Sequence, residues 1–407
     1  MLAKGMKRIT TPLRVEYRQM TPSASNVSTK SQDLLLNTFH IEGFRGLRDL
    51  HLEELSRVNI LVGSNNAGKT SILEAMALYG AAVDMAEWSS IARLREGRAP
   101  SMFADPLSSI EAIRWMFPHG DADAFEPASH DPINLYATGR TLVERLSAAC
   151  THVRGVPPEP PRGLRARHPV DDAGDDFGWS FNVQREVKKA TLFDGEENFE
   201  FTLWASQGIH SSDRVRQSKA FRYELLPPYG HRNQPNNLRK MSESTRLGTL
   251  PKVEELIREL DSDILGLDIL TTADGRRPLI VVNHRTSGTV PLNVLGDGVR
   301  RAVSLALAIH DAKDGLLLID EIEAALHVSA LNKVYPWLVR MCEQLNVQIF
   351  ATTHSLEAID SIAELVDAND HGRLTAFQVD DRHDKNVRRY TGGMLRRLVH
   401  EQGLDVR

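Results

Sequence analysis

The segment Gly63-Ser64-Asn65-Asn66-Ala67-Gly68-Lys69-Thr70 limits what this chain can fold into more than any other stretch. It follows the pattern GxxxxGK[ST], with the apolar run Val58–Val62 before it. After it, Ile72, Leu73, Ala75, Met76 and Leu78 recur at helical spacing, and Gly80 reads as the stop of that helix. A strand, a glycine-rich turn and a helix in this order aim consecutive backbone N–H groups at one point, with the helix dipole behind them. The phosphates of a nucleotide suit such a point. Lys69 is expected to reach the β- and γ-phosphates, and the Thr70 hydroxyl to ligate Mg²⁺.

Three later segments belong with it. Leu316-Leu317-Leu318-Ile319-Asp320-Glu321 is a buried strand ending in two carboxylates. Asp320 is placed to hold Mg²⁺, and Glu321 to polarise the water that attacks the γ-phosphate. Ala351-Thr352-Thr353-His354-Ser355 ends another apolar strand, and an imidazole at His354 can hydrogen-bond the γ-phosphate and sense its presence. Gly296-Asp297-Gly298, ahead of a helix over 300–310, offers further backbone N–H groups at a helix N-terminus.

Around these, strands are expected at 35–41, 58–62, 278–282, 316–319, 348–352 and 374–379, and helices at 69–79, 300–310 and 334–345. An amphipathic helix is read over 251–265, with Val253, Leu256, Ile257, Leu260 and Ile264 on one stripe. Strands alternating with helices predict an α/β fold with a mixed, mainly parallel sheet flanked by helices. Residues 1–33 read as a disordered basic tail, and 34–407 as the ATPase domain. Within it, 88–250 is a variable α/β or helical insertion that binds a partner. Its least legible part, 153–176, reads as a linker, and 181–201 as two strands around Asp194-Gly195.

Composition narrows the rest. A net charge of −5 argues against general affinity for DNA. The locally basic stretch 213–246 is either a solvated surface or a phosphate-backbone contact. No run of about eighteen uncharged apolar residues is present, and residues 1–20 lack the apolar core of a secretory signal. Cys150 and Cys342 form no Cys/His ligand set, so a structural zinc site is not expected and a cytoplasmic setting is.

Together and in this order, the segments resemble the ABC-class ATPases of the SMC, RecF and OLD type. Gly63–Ser71 resembles their Walker A segment, Leu316–Glu321 with Glu323, Leu326 and His327 their Walker B region, and Thr353-His354-Ser355 their switch histidine. Ile41-Glu42-Gly43-Phe44-Arg45-Gly46-Leu47 resembles their first strand and turn, with Arg45 near the nucleotide, and the closing 403–407 resembles stand-alone bacterial members. The resemblance implies a P-loop NTPase fold, ATP and Mg²⁺ as ligands, and a head-to-tail homodimer or higher homo-oligomer. ATP would lie between Walker A of one protomer and the signature loop of the other. That loop departs from the family, with Gly296 in place of a serine and Asp297 in place of a glycine, which implies slow turnover. Only about fifty residues follow Ser355, so no nuclease domain is expected in this chain.

The reading that follows is a regulatory ATPase controlling a separate effector, such as a nuclease, in bacterial phage defence or DNA maintenance. The alternative is an ATP-dependent DNA-binding clamp of the RecF or SMC kind in repair or recombination. A transporter subunit fits poorly, because Walker A and signature are too far apart, and no membrane partner is expected.

Overall fold

Val58–Val62, Leu316–Ile319 and Gln348–Thr352 are buried at every position. Strands that are buried on both faces need helices or a second sheet on each side. The computed structural model supplies both covers, and it describes residues 34–96, 106–118, 129–157, 176–188, 195–206, 208–211, 219–272, 274–365, 373–380 and 387–402. The strands are β1 (Thr38–Phe44), β2 (Leu47–Leu52), β3 (Val58–Val62), β4 (Ser129–Thr138), β5 (Val143–Gly155), β6 (Asp176–Val187), β7 (Gly195–Trp204), β8 (Gly208–Ser211), β9 (Tyr223–Leu226), β10 (Ile264–Thr271), β11 (Pro278–His284), β12 (Gly288–Pro291), β13 (Leu316–Ile319), β14 (Gln348–Thr352), β15 (Leu374–Gln378) and β16 (Arg388–Thr391). The helices are α1 (Lys69–Ala81), α2 (Met85–Ala92), α3 (Pro106–Arg114), α4 (Gln234–Arg246), α5 (Leu250–Leu260), α6 (Asp297–Asp311), α7 (Val328–Gln344), α8 (Leu356–Glu364) and α9 (Gly392–Arg396).

The central sheet has the order β16-β15-β3-β14-β13-β9. Its strands run parallel except β16, which pairs antiparallel with β15 at one edge. One face, through Ile60, Val62, Leu317, Ile319 and Ile349, shares a core with α5, α6 and α7. The other, through Leu61, Leu316, Leu318 and Phe350, shares a core with α1 and with a second sheet. This is a P-loop NTPase fold. Every parallel strand ends at the same edge, so the segments leaving β3, β13, β14 and β9 meet there, as ligand-binding loops do in parallel sheets.

The second sheet, β2-β1-β4-β5-β6-β7-β8, is antiparallel throughout. Alternation along its strands turns Leu146, Ala148 and Cys150 of β5, and Phe181 and Val183 of β6, into the core. Helix α1 lies against strands of both sheets, which is why it is buried from Ser71 to Ala81 instead of showing one polar stripe. The remaining strands, β10, β11 and β12, make a separate antiparallel ribbon.

Several expectations need correcting. Within 88–250, β4 to β8 form an antiparallel sheet that β1 and β2 join, α3 and α4 are helices, and β9 is the edge strand of the parallel sheet. The first strand begins at Thr38, not at residue 35. Gly80 does not stop α1, which continues to Ala81 with Ala82 as its cap. Glycine is required at position 80 for another reason: a Cβ there would lie 2.7 Å from the Phe221 ring and 2.8 Å from that of Tyr223. Helix α5 ends at Leu260, and Ile264 opens β10, so its burial comes from the ribbon and not from a helical stripe. The expected tail over 1–33, the closing 403–407, most of the linker and Asp194 lie outside the described residues. No helix among the described residues is long and apolar enough to cross a membrane.

Candidate active site

The turn after β3 closes on itself through its glycines. Gly63 has φ 146° and packs where a Cβ would stand 2.3 Å from the Val379 carbonyl oxygen. Gly68 has φ 94°, with the Leu47 side chain 2.8 Å from where its Cβ would be. Both conformations are strained for any side chain bearing a Cβ, so these two positions call for glycine. The Lys69 ammonium donates to the carbonyls of Gly63 and Ser64, each at 2.7 Å. Desolvation holds Lys69 below its ordinary pKa, opposed by the nearby carboxylates of Asp320, Glu323 and Glu321.

Thr70 opens α1 and faces the end of β13. Its Oγ1 donates to Asp320 at 3.0 and 3.1 Å, and Thr352 Oγ1, at the end of β14, donates to the same carboxylate at 2.6 Å. The Glu321 N–H donates in turn to Thr352 Oγ1 at 2.8 Å. Glu321 has φ 48°, so the chain turns sharply after Asp320 and separates the two carboxylates. His354 is half-exposed, with its backbone N–H 3.2 Å and its Nδ1 3.4 Å from Glu323 Oε1.

These groups surround one cavity of about 770 Å³. Of the residues singled out in the sequence, Asn65, Asn66, Ala67, Gly68, Lys69, Thr70, Ser71, Asp320, Glu321 and His354 line it. Gly63 and Ser64 stand behind, giving their carbonyls to Lys69. Two expectations are not brought to the cavity wall. Arg45 pairs instead with the buried carboxylate of Glu74, Nε to Oε2 at 2.8 Å, and supports the wall from outside. Gly296, Asp297 and Gly298 are also absent from the lining, and Asp297 is held by Arg232 at 2.9 Å and by Arg300.

Sequence reasoning missed four contributors. Arg95 reaches Glu74 and the Ser71 hydroxyl, and supplies the cavity with a cation where Arg45 was expected. Pro228 and Tyr229, just after β9, also line the cavity, and the Tyr229 hydroxyl donates to the Leu94 carbonyl. Arg301 is fully buried in α6; its guanidinium donates to the carbonyls of Pro227 at 2.7 Å and of Asp320 and Glu321 at 3.1 Å each. Burial pulls Arg301 down to about 10, against the opposing pull of the three nearby acids. An arginine among Ala302, Val303, Leu305 and Ala306 was the available signal, since a charge in an apolar helix face needs fixed partners.

The oxygen set suits Mg²⁺. Thr70 Oγ1 and Asp320 Oδ1 lie 3.0 Å apart, and the edge of an Mg²⁺ octahedron is about 2.9 Å. Glu321 stands beside this pair, on the same cavity.

Residues 180–360 match the family described as "AAA domain, putative AbiEii toxin, Type IV TA system", and residues 35–81 match "AAA ATPase domain". Both matched descriptions are of ATPase domains of the AAA type. Two uncharacterised proteins of Methanocaldococcus jannaschii are 56% identical over 45 residues and 43% identical over 70 residues. Those matches cover 11% and 17% of this chain, which spans only 20% and 61% of the two relatives. An ATP/GTP phosphatase of Helicobacter pylori is 18% identical over 86% of this chain and 94% of its own length. Among solved structures, an SMC head bound to the C-terminal winged helix domain of ScpA is similar over 91% of this chain and 99% of that one. Its TM-score is 0.45, with 11% identity.

Proposed function

We propose that this chain binds ATP with Mg²⁺ and hydrolyses it slowly, as a regulatory ATPase that controls a separate effector protein. The observation that carries the reading is the meeting of Thr70, at the end of the phosphate loop, with Asp320 and Glu321 on one cavity that the loop also lines. In this reading the loop N–H groups and Lys69 bind the phosphate chain, with Lys69 exchanging its loop carbonyls for phosphate oxygens. Thr70 and Asp320 would hold Mg²⁺, which offsets phosphate charge when bound. Glu321 takes a proton from the attacking water, and His354 contacts the γ-phosphate from the β14 side. The name of the H. pylori relative agrees with nucleotide hydrolysis.

The second half of the site comes from another copy. Support lies in the place of Gly296–Gly298: they open α6 away from the chain's own cavity, so they serve a nucleotide only across an interface. With Gly296 lacking a hydroxyl and Asp297 adding a negative charge, closure around the γ-phosphate is weak and turnover slow. Residues 88–250, with the antiparallel sheet, form the surface that reads the effector. A setting in phage defence or DNA maintenance is in keeping with the toxin–antitoxin wording of the matched family. The clamp alternative loses support from the basic stretch: Lys219, Arg232, Arg239, Lys240 and Arg246 each pair with a carboxylate, which leaves less charge for phosphates.

Two measurements test this. Purified protein should release phosphate from ATP with Mg²⁺, and Lys69→Ala should abolish it; a chain that neither binds nor hydrolyses ATP overturns the enzyme reading. Glu321→Gln, purified from its native host with ATP and Mg²⁺, should bring a stoichiometric second protein. Recovery of DNA, or of the pair alone, replaces the effector reading with the clamp.

A further inference from the structure

Far along the same hairpin that supports the phosphate loop, four side chains with metal-binding chemistry share one face. In the antiparallel β1–β2 register, His40 stands opposite His51 and Glu42 opposite Asp49. The side-chain period of two in a strand then puts all four on the same side of the ribbon. The two imidazoles are stacked, with ring centroids 3.6 Å apart. Both turn Nε2 toward one oxygen, Asp49 Oδ1, at 2.7 Å from His40 and 3.0 Å from His51. Glu42 Oε1 is 3.6 Å from His40 Nε2.

We propose that His40, Asp49 and His51, with Glu42 beside them, bind a divalent transition metal of the zinc class on the outer face of the β1–β2 ribbon. The spacing suits it. Ligand atoms around tetrahedral zinc are about 3.3 Å apart. The three ligand atoms of His40, Asp49 and His51 all lie within 4.8 Å of one another. Small rotations therefore open the hydrogen-bonded cluster into a coordination shell without moving the backbone. Two imidazoles with carboxylate oxygens select zinc and its neighbours over Mg²⁺, which prefers oxygen alone.

The surroundings are those of a held ligand set. Tyr136 on β4 stacks on the His40 ring at 5.2 Å, and its hydroxyl donates to Glu42 Oε2 at 3.3 Å. Outer contacts of this kind orient metal ligands and are part of a site's affinity. His51 and Asp49 are exposed, at 52% and 69%, which leaves an entry path and room for water as a further ligand. No cysteine is involved. The pattern His-x-Glu with Asp-x-His becomes a site only when the strands pair, so no sequence spacing announces it. The site is separate from the oxygens of Thr70 and Asp320, and does not depend on nucleotide.

The test uses full-length protein stripped with EDTA and titrated with zinc sulfate, without nucleotide or Mg²⁺, against a chromogenic chelator. One zinc per chain is expected, with zinc raising the melting temperature. His51→Ala, which removes a direct ligand, should weaken that binding by more than the roughly 10- to 100-fold that losing an outer partner costs and remove the thermal shift. Because His51 is exposed, an unchanged unfolding midpoint in EDTA shows that the variant is folded. His284→Ala, which breaks the other His/carboxylate group found among the described residues, Asp261, Asp263 and His284, should leave zinc binding unchanged. Wild-type protein that binds no zinc, undiminished binding by His51→Ala, or loss in His284→Ala instead, overturns the proposal.

Discussion

Arg301 donates to the main-chain carbonyls of Asp320 and Glu321, the two residues that follow β13, at 3.1 Å each. It stands in the helix that begins at Asp297, directly after Gly296, so the helix that Gly296–Gly298 open is tied to the backbone of the acidic pair. A third carbonyl, that of Pro227 beyond β9, accepts from the same guanidinium. One buried cation thus connects three segments of the site without touching the cavity.

Replacing Arg301 by Met should therefore lower stability and activity together. The change removes the buried guanidinium's hydrogen bonds to the carbonyls of Pro227, Pro228, Asp320 and Glu321, and loss of a partner from such a network costs about 3 kcal/mol. Urea unfolding reads the first effect. The second is expected as a drop in ATP turnover larger than the drop in ATP binding, because Glu321 loses its backbone support while the phosphate loop keeps its own.

Glu321→Gln and Asp320→Asn should fail differently. Without a base at Glu321, turnover falls by about 10²- to 10⁴-fold while Mg²⁺-dependent nucleotide binding persists. Asp320→Asn should instead remove the Mg²⁺ dependence of binding, since Thr70 Oγ1 and Thr352 Oγ1 both donate to this carboxylate. Titrating nucleotide with and without Mg²⁺ separates the two.

Gly80→Ala runs against helix propensity. In an open helix the change gains about 1 kcal/mol. Here the new Cβ meets the rings of Phe221 and Tyr223 at 2.7 and 2.8 Å, and overpacking of this kind costs about 1–3 kcal/mol. A lowered melting temperature is expected, and a raised one would show that the β9 approach to α1 is looser than described.

Acid should destabilise the fold in part through His310. Desolvation, with Lys252 adding a smaller push, lowers its pKa from 6.5 to about 4. Between those values the unfolded chain holds a proton that the folded chain does not. Stability from this group is then complete above pH 6.5 and is lost as pH falls toward 4. The loss is at most about 3 kcal/mol. His310→Gln should flatten the stability profile between those two pH values, measured by chemical unfolding.

Much of the central sheet was legible in the chain itself. β3, β13 and β14 lie where mainly apolar runs placed them, because strands covered on both faces are built mostly from apolar residues, and the polar Asn59, Gln348 and Thr352 they bury are hydrogen-bonded. The phosphate loop and the acidic pair were legible for a related reason: their chemistry sits in consecutive residues. The antiparallel sheet was not, since alternation in β5 and β6 shows half-buried strands but not their partners, and register is a property of pairs.

What the sequence determined by itself was therefore local: a phosphate loop between strand and helix, two carboxylates at a strand end, a histidine at another. Their dihedral needs and apolar runs are written in neighbouring residues. Tertiary structure alone decided that Arg95, not Arg45, faces the cavity, and that Arg301 binds the acidic turn. It also decided that His40 and His51 converge on Asp49. Each of these depends on side chains brought together across strands or helices, where distance along the chain carries no information about distance in space.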